Sequence, residues 1–162
     1  MNAHGPATPR WTHVALPARD LQASLDWYGR WTPLVCVHDR VDDEGRTAWL
    51  GHPVDPEAPS HPFVLVLIEQ SAGYDDVATV LTPLAHLGFE MPSREAVDEI
   101  AAEARAEGVL HWAAVDLGPP VGYICAIVDP DGNVVEFSHD QGVYAAAQRA
   151  VASPGQASSA SV

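Results

Sequence analysis

The sequence predicts an α+β fold made of two βαβββ modules. Three observations carry that prediction. Two amphipathic helical stretches each follow one strand-like run and precede three more. The second half of the chain also overlays on the first. At an offset of 73 residues His13 falls on His86, Leu16 on Phe89 and His38 on His111, and at an offset of 70 the run VLVLI falls on VVEFS. Finally, 162 residues with 47% hydrophobic and 19% charged positions suit one domain that closes a core without staples.

In the first module a strand is expected over Trp11–Pro17. Asp20 then caps a helix over Leu21–Arg30, on which Leu21, Leu25 and Tyr28 recur at i, i+4 and i+7. Strands follow near Pro33–Arg40, Arg46–Gly51 and Phe63–Glu69, the first two joined by the turn Asp42-Asp43-Glu44-Gly45. Gln70–Thr82 is the linker. The second module opens with a strand at Pro83–Glu90 and a helix capped by Ser93, with Val97, Ile100, Ala101 and Ala104 on one face and Gly108 as its stop. Strands are expected at Val109–Asp116, Val121–Val128 and Val134–His139, the last two joined by Asp129-Pro130-Asp131-Gly132-Asn133. The domain therefore spans 11–142, with module one at 11–69, the linker at 70–82 and module two at 83–142. Residues 1–10 and 150–162 are small, polar and unpatterned, and are expected to be disordered tails.

Composition removes several function classes. The net charge is −14, with a pI near 4.6, and such a field repels nucleic-acid backbones and anionic membrane surfaces. No apolar run approaches the roughly 18 residues of a membrane span. The first ten residues lack the apolar centre of a signal peptide, so the expected compartment is the cytoplasm. All eight basic residues are arginine, which excludes a Schiff-base lysine, a P-loop lysine and a lysine carrying pyridoxal phosphate. Cys36 and Cys125 lie in apolar runs at a spacing that fits no zinc ribbon or redox pair, and are expected to be buried free thiols.

Period two assigns the strand faces. Thr12, Val14 and Leu16 belong under the first helix, which turns His13 to the open face. By the same alternation His86 and Gly88 face the open side of the fifth strand, and Val134, Glu136 and Ser138 that of the eighth. Two imidazoles and one carboxylate on rigid strands are donors that suit a divalent metal. His38 and His111, matched on the second strands, are candidate acid–base groups at the pocket mouth, although the pattern equally suits exposed strand histidines. His139, Trp112 and Tyr123 are candidate pocket walls. Asp129, Asp131 and Asn133 mimic the start of a calcium loop, but Val134 stands where that loop needs glycine, so the segment reads as a hairpin turn.

The segments WTHVALPARDLQASLDWY, AHLGFEMPSREAVDEIAAEARAEGV and GYICAIVDPDGNVVEFS resemble the vicinal oxygen chelate superfamily, which includes glyoxalase I, extradiol dioxygenases and bleomycin or fosfomycin resistance proteins. The resemblance covers both modules and is most specific in DPDGNVVEF. It implies two βαβββ modules forming a half-open mixed β-sheet barrel around a metal site, with His13, His86 and Glu136 in ligand positions. The family's fourth ligand position falls on Val66, and the neighbouring Glu69 faces the opposite side. Two histidines and one carboxylate resemble the facial triad of non-haem Fe(II) oxygenases. The leading expectation is thus a dioxygenase-like enzyme that binds a small substrate through adjacent oxygens. The extradiol enzymes' tyrosine position is Ala126 here, with Tyr123 nearby, so Tyr123 joins His38 and His111 as a catalytic candidate. A glyoxalase-like lyase, isomerase or epimerase would use Zn(II), Ni(II), Co(II) or Mn(II), with Glu69, His38 or His111 as base. A metal-free drug-sequestering protein is the third reading. The family builds its site within one chain or across a homodimer.

Overall fold

A computed structural model of the protein describes residues 12–53, 63–74 and 78–143; both expected tails and Trp11 lie outside them. Contacts divide the chain into two compact units. Unit one runs to Val80 and includes Asp129–Asp131, and unit two holds Leu81–Val128 and the chain from Gly132.

Unit one contains β1 (His13–Pro17), α1 (Leu21–Trp31), β2 (Val35–Asp42), β3 (Gly45–Gly51) and β4 (Val64–Gln70). They form a mixed sheet in the order β1-β4-β3-β2, with β1 parallel to β4 and the other pairs antiparallel. The Asp20 carboxylate accepts from the Ala23 N–H at 2.9 Å and starts α1 where the sequence places it. The helix buries Leu21, Ser24, Tyr28 and Trp31. Ser24 is the unexpected member: its hydroxyl donates to Asp131 Oδ2 at 3.4 Å, so a polar residue sits on the packed face with a partner. In the β2–β3 hairpin the Asp42 side chain accepts from the N–H groups of Glu44 and Gly45, and Gly45 adopts a φ of 148° that brings it against the Glu69 carbonyl. A side chain at Gly45 would meet that backbone, which explains the glycine.

Unit two repeats the plan with β5 (His86–Glu90), α2 (Arg94–Glu107), β6 (Leu110–Asp116), β7 (Tyr123–Val128) and β8 (Val134–His139). Its sheet has the order β5-β8-β7-β6, again with one parallel pair, β5 with β8. Neither four-stranded sheet closes on itself. Ser93 caps α2 by accepting from the Ala96 N–H at 3.2 Å, and Gly108 ends it in the left-handed conformation, φ 75°. α2 packs on β6, β7 and β8 and buries Val97, Ala101 and Ala104 over Cys125, Ile127, Val135 and Phe137. Among the strands that start later than the sequence suggests are β5 and β7. β5 begins at His86, three residues after Pro83, whose missing N–H keeps that residue itself out of the ladder. β7 begins at Tyr123 because Gly118 and Gly122, both at positive φ, hold the preceding residues in a turn. Among the described residues no helix is long and apolar enough to cross a membrane.

The cysteines part company. Cys125 is buried as expected, but Cys36 is exposed, because β2 is an edge strand whose eight residues are all exposed. Burial pushes the Cys125 thiol up to about 12, and burial together with the Asp129 carboxylate raises the Tyr28 hydroxyl above its usual range. Both groups hold their protons more tightly in the folded chain than in the unfolded one. Stability should therefore be complete at neutral pH and fall above about pH 9, where the unfolded thiol ionises first, and more steeply above about pH 10. Each group contributes up to about 1.4 kcal/mol per pH unit. Denaturant titrations between pH 7 and 11 should show this decline, with the earlier part missing in Cys125→Ala; stability constant across that range would refute the assignment.

Candidate metal centre

β8 lies inside its sheet, so both of its neighbours fix which way its side chains point. Glu136 stands level with Gly88 on β5 and Ala126 on β7, while His86 stands level with Val134. Period two therefore puts His86, Gly88, Ala126 and Glu136 on one face, opposite the face that α2 covers. His86 Nε2 lies 3.6 Å from Glu136 Oε2, and the Glu136 side chain is 5% exposed. The other imidazole nitrogen, Nδ1, is 2.6 Å from the Leu84 carbonyl oxygen. A carbonyl only accepts, so Nδ1 carries a proton, and in the neutral ring the Nε2 lone pair is the one directed at the carboxylate's surroundings. Trp112 packs edge-on against the His86 ring at 5.9 Å. Gly88 leaves space beside Glu136: a Cβ built there meets nothing within 4 Å. Gln141 closes the other end, its side-chain amide donating to Glu136 Oε1 at 3.0 Å.

In unit one His13 is exposed on β1, with Nδ1 2.9 Å from the Thr12 hydroxyl. That contact engages Nδ1, so a bond from His13 to an ion would be made through Nε2. Val66 stands level with Ala15 and Trp49, on the same face as His13, and is buried. Its place in the β1-β4-β3 ladder is that of Glu136 in β5-β8-β7. The register of β4 is unbroken, so Glu69 stays on the opposite face, level with Arg46, whose guanidinium reaches Gln22 on α1. The corner that carries a carboxylate in unit two carries an isopropyl group in unit one.

Tyr123 and His139 stand on the opposite face of unit two, whereas His38, level with Trp49, shares the face of His13 and Val66 in unit one. Tyr123 lies on the α2 side, donating to Asp98 of that helix while the Arg94 guanidinium covers its ring at 4.0 Å. The bond to Asp98 raises its hydroxyl above the usual range. Tyr123 is not brought together with His86 and Glu136. His139 is level with Tyr123, on the same side, with Nδ1 3.1 Å from the Met91 carbonyl. His38 lies 4.7 Å from the Trp49 ring, and His111 lies 5.2 Å from Trp112, its neighbour in the chain.

The expected match of His38 with His111 is corrected by the strand registers: Cys36 already corresponds to Leu110, so the offset grows by one residue ahead of the second strands, and both strands then carry a bulge at the same place. β2 shifts register between Cys36 and His38, and β6 between Leu110 and Trp112. Counted through the ladders, His38 stands level with Trp49 and Trp112 with Ala126, so the structural counterpart of His38 is Trp112. His111 is the extra residue of its bulge. Sequence reading also missed Gln141, which carries no signal: it follows the strand, five positions past Glu136.

Among the described residues no group of three or more His, Cys, Asp or Glu side chains is gathered to hold an ion. The pair His86–Glu136 nevertheless has the chemistry that a divalent cation needs. A buried carboxylate faces an imidazole whose second nitrogen is tied to a carbonyl, the outer bond that fixes tautomer and ring orientation in metal-bound histidines.

Residues 10–137 match the family model described as the Glyoxalase/Bleomycin resistance protein/Dioxygenase superfamily. A Pseudomonas aeruginosa protein named Uncharacterized protein PA2024 is 34% identical over 138 residues, covering 83% of this chain and 91% of that protein. Among solved structures, a glyoxylase/bleomycin resistance protein/dioxygenase domain from Frankia sp. EAN1pec aligns with a TM-score of 0.60 at 23% identity, covering 82% of this chain and 93% of that one. Glyoxalase I from Zea mays aligns with a TM-score of 0.61 at 18% identity, covering 79% of this chain and 43% of that one. At such identities these two likenesses are of fold. The family match, by contrast, extends from ahead of β1 into β8 and takes in both helices, and so the chain belongs to the glyoxalase/bleomycin resistance protein/dioxygenase superfamily.

Proposed function

We propose that the protein is a metal-dependent enzyme in which His13, His86 and Glu136 hold a divalent cation that binds a small substrate through two neighbouring oxygens. The observation that carries this reading is the His86–Glu136 pair on one strand face, with His86 Nδ1 engaged by the Leu84 carbonyl and Nε2 3.6 Å from the carboxylate. The Leu84 carbonyl holds the imidazole in the tautomer that leaves Nε2 as a donor. Glu136 supplies the negative charge. Gly88 and Ala126 keep the flanks of that carboxylate free of bulk, so a small molecule has room beside it.

We favour Fe(II) and a dioxygenase-like reaction because Val66 stands at the fourth ligand corner. A set of two imidazoles and one carboxylate leaves open positions, and Fe(II) held by it would supply a redox-active Lewis acid with room for a bidentate substrate and dioxygen. Glu69 faces the α1 side and is not placed to act as the base of a glyoxalase-like reaction.

The test separates occupancy from activity. Protein purified without chelator is analysed for metal, then stripped and reloaded with Fe(II) anaerobically or with Zn(II). Oxygen uptake is followed with a panel of catechols and 2-oxo acids. Zn(II) protein should be inert toward dioxygen, since zinc has no redox chemistry, while Fe(II) protein should consume it with the right substrate. Turnover of a 2-oxo acid or hemithioacetal by Zn(II) or Ni(II) protein without oxygen uptake would replace this reading by a lyase or isomerase. Failure to bind any of these metals, with tight binding of a drug-like ligand, would replace it by a sequestering protein.

A further inference from the structure

We infer that Gln141 is a positioning residue that restricts Glu136 to one coordinating oxygen, an inference that rests on the reading of Glu136 as a metal ligand. The two carboxylate oxygens have different neighbours. Oε1 accepts from the Gln141 amide at 3.0 Å, and Oε2 faces His86 Nε2 at 3.6 Å. An oxygen held by an amide N–H has a lone pair committed and a fixed direction, so an ion shared with His86 meets Oε2. One-oxygen binding leaves the cation a further position for exchangeable ligands, which a two-oxygen clamp would occupy. The amide thus sets how much of the coordination shell is left for a substrate.

Gln141 reaches this carboxylate through a built piece of backbone. Strand alternation carried past β8 would put residue 141 on the face opposite Glu136. Instead Asp140 adopts φ 59°, in the left-handed region that aspartate tolerates better than most side chains, and its surroundings hold it there. Those surroundings are the turn ahead of β7. The Gly142 N–H donates to the Pro120 carbonyl at 2.8 Å, and a Cβ on Gly122 would lie 2.4 Å from the His139 carbonyl oxygen. Only a glycine at 122 lets the chain after β8 lie this close, and the reversal at Asp140 then brings the Gln141 side chain round to Glu136.

The test uses the full-length protein and Co(II) alone, read by affinity and by its visible absorption at saturation. Gln141→Met keeps the length of the side chain and removes the donor; Gln141→Ala removes both. Circular dichroism and the thermal midpoint establish that each variant is folded. Both are expected to bind Co(II) about 10–100-fold more weakly, the usual cost of losing an outer partner of a ligand. At saturation both should absorb less strongly than wild type, because a freed Oε1 joins Oε2 on the ion and raises its coordination number. A role in stability alone would leave the spectrum of the saturated, folded variant unchanged. Wild-type affinity and spectrum in Gln141→Met, beside lost binding in Glu136→Ala, would overturn the role of Gln141 and leave the ligand assignment standing. Wild-type binding by Glu136→Ala would overturn both.

Discussion

His86→Ala is expected to lose most of its bound divalent metal while remaining a folded domain. The imidazole Nε2 and Glu136 Oε2, 3.6 Å apart, would be joint ligands, so removing the ring deletes a donor outright. The loss should exceed the roughly 10–100-fold that follows removal of a mere outer partner. The fold has little to lose, because His86 is exposed on β5, which lies at the edge of its sheet. Among the described residues its ring-nitrogen hydrogen bond goes to Leu84, two residues away, and its long-range contacts are the 3.6 Å approach to Glu136 and the packing against Trp112. Glu136→Ala should empty the site to a similar degree, and Glu136→Gln, which keeps an oxygen for the Gln141 amide, separates lost charge from lost packing. His13→Ala completes the set. Metal content by atomic emission, with circular dichroism as the folding control, gives the result. Full occupancy in any one of these variants would strike that residue from the ligand set.

Asp131→Ala is expected to give the largest loss of stability among single polar substitutions in unit one. The carboxylate is buried and holds three groups from 107 to 112 residues away. Oδ1 accepts from the Arg19 backbone N–H at 3.1 Å and from its guanidinium at 3.0 Å, and Oδ2 accepts from Ser24 at 3.4 Å. The Asp131 carbonyl accepts from the Thr79 hydroxyl, and beside it Asp129 accepts from the buried Tyr28 hydroxyl at 3.0 Å. Alanine would leave the Ser24 hydroxyl and the Arg19 N–H without this acceptor. Arg19 is about half exposed and regains water, so its share is small. We expect about 2–4 kcal/mol from the unsatisfied groups and the lost charge-assisted bonds. Asp131→Asn, which retains one carbonyl oxygen, should cost about half of that. Urea midpoints measure both, and a loss within about 0.5 kcal/mol, as at an ordinary surface site, would show that the network is incidental.

These two residues mark the boundary of what the sequence discloses. His86 and Glu136 could be assigned to one face from alternation alone, since period two is a property of the extended backbone that needs no knowledge of its neighbours. The caps Asp20, Ser93 and Gly108 were equally legible, because each satisfies helix-end groups within three or four residues of itself. So was the face of Val66, which follows from counting along β4 with no bulge to disturb the count.

Asp131 was legible only as part of a turn. The sequence shows why Asp-Pro-Asp-Gly reverses the chain between β7 and β8, but nothing local says that its second aspartate is buried against Arg19 and Ser24. The bulges in β2 and β6 were hidden for the same reason. An extra residue in a strand has no composition of its own, and it is seen only when the partner strand is laid beside it; the same ladders, read across each sheet, are what make Trp112 rather than His111 the counterpart of His38. Cys36 misled because an apolar run signals a strand without saying whether it lies at the edge. By itself, then, the sequence determined the two βαβββ modules, their helix ends and the face shared by His86 and Glu136, all set by interactions within a few residues along the backbone. Tertiary structure alone decided the partners of Asp131, the reach of Gln141 to Glu136 and the strand registers, because each depends on which distant backbone comes to lie alongside.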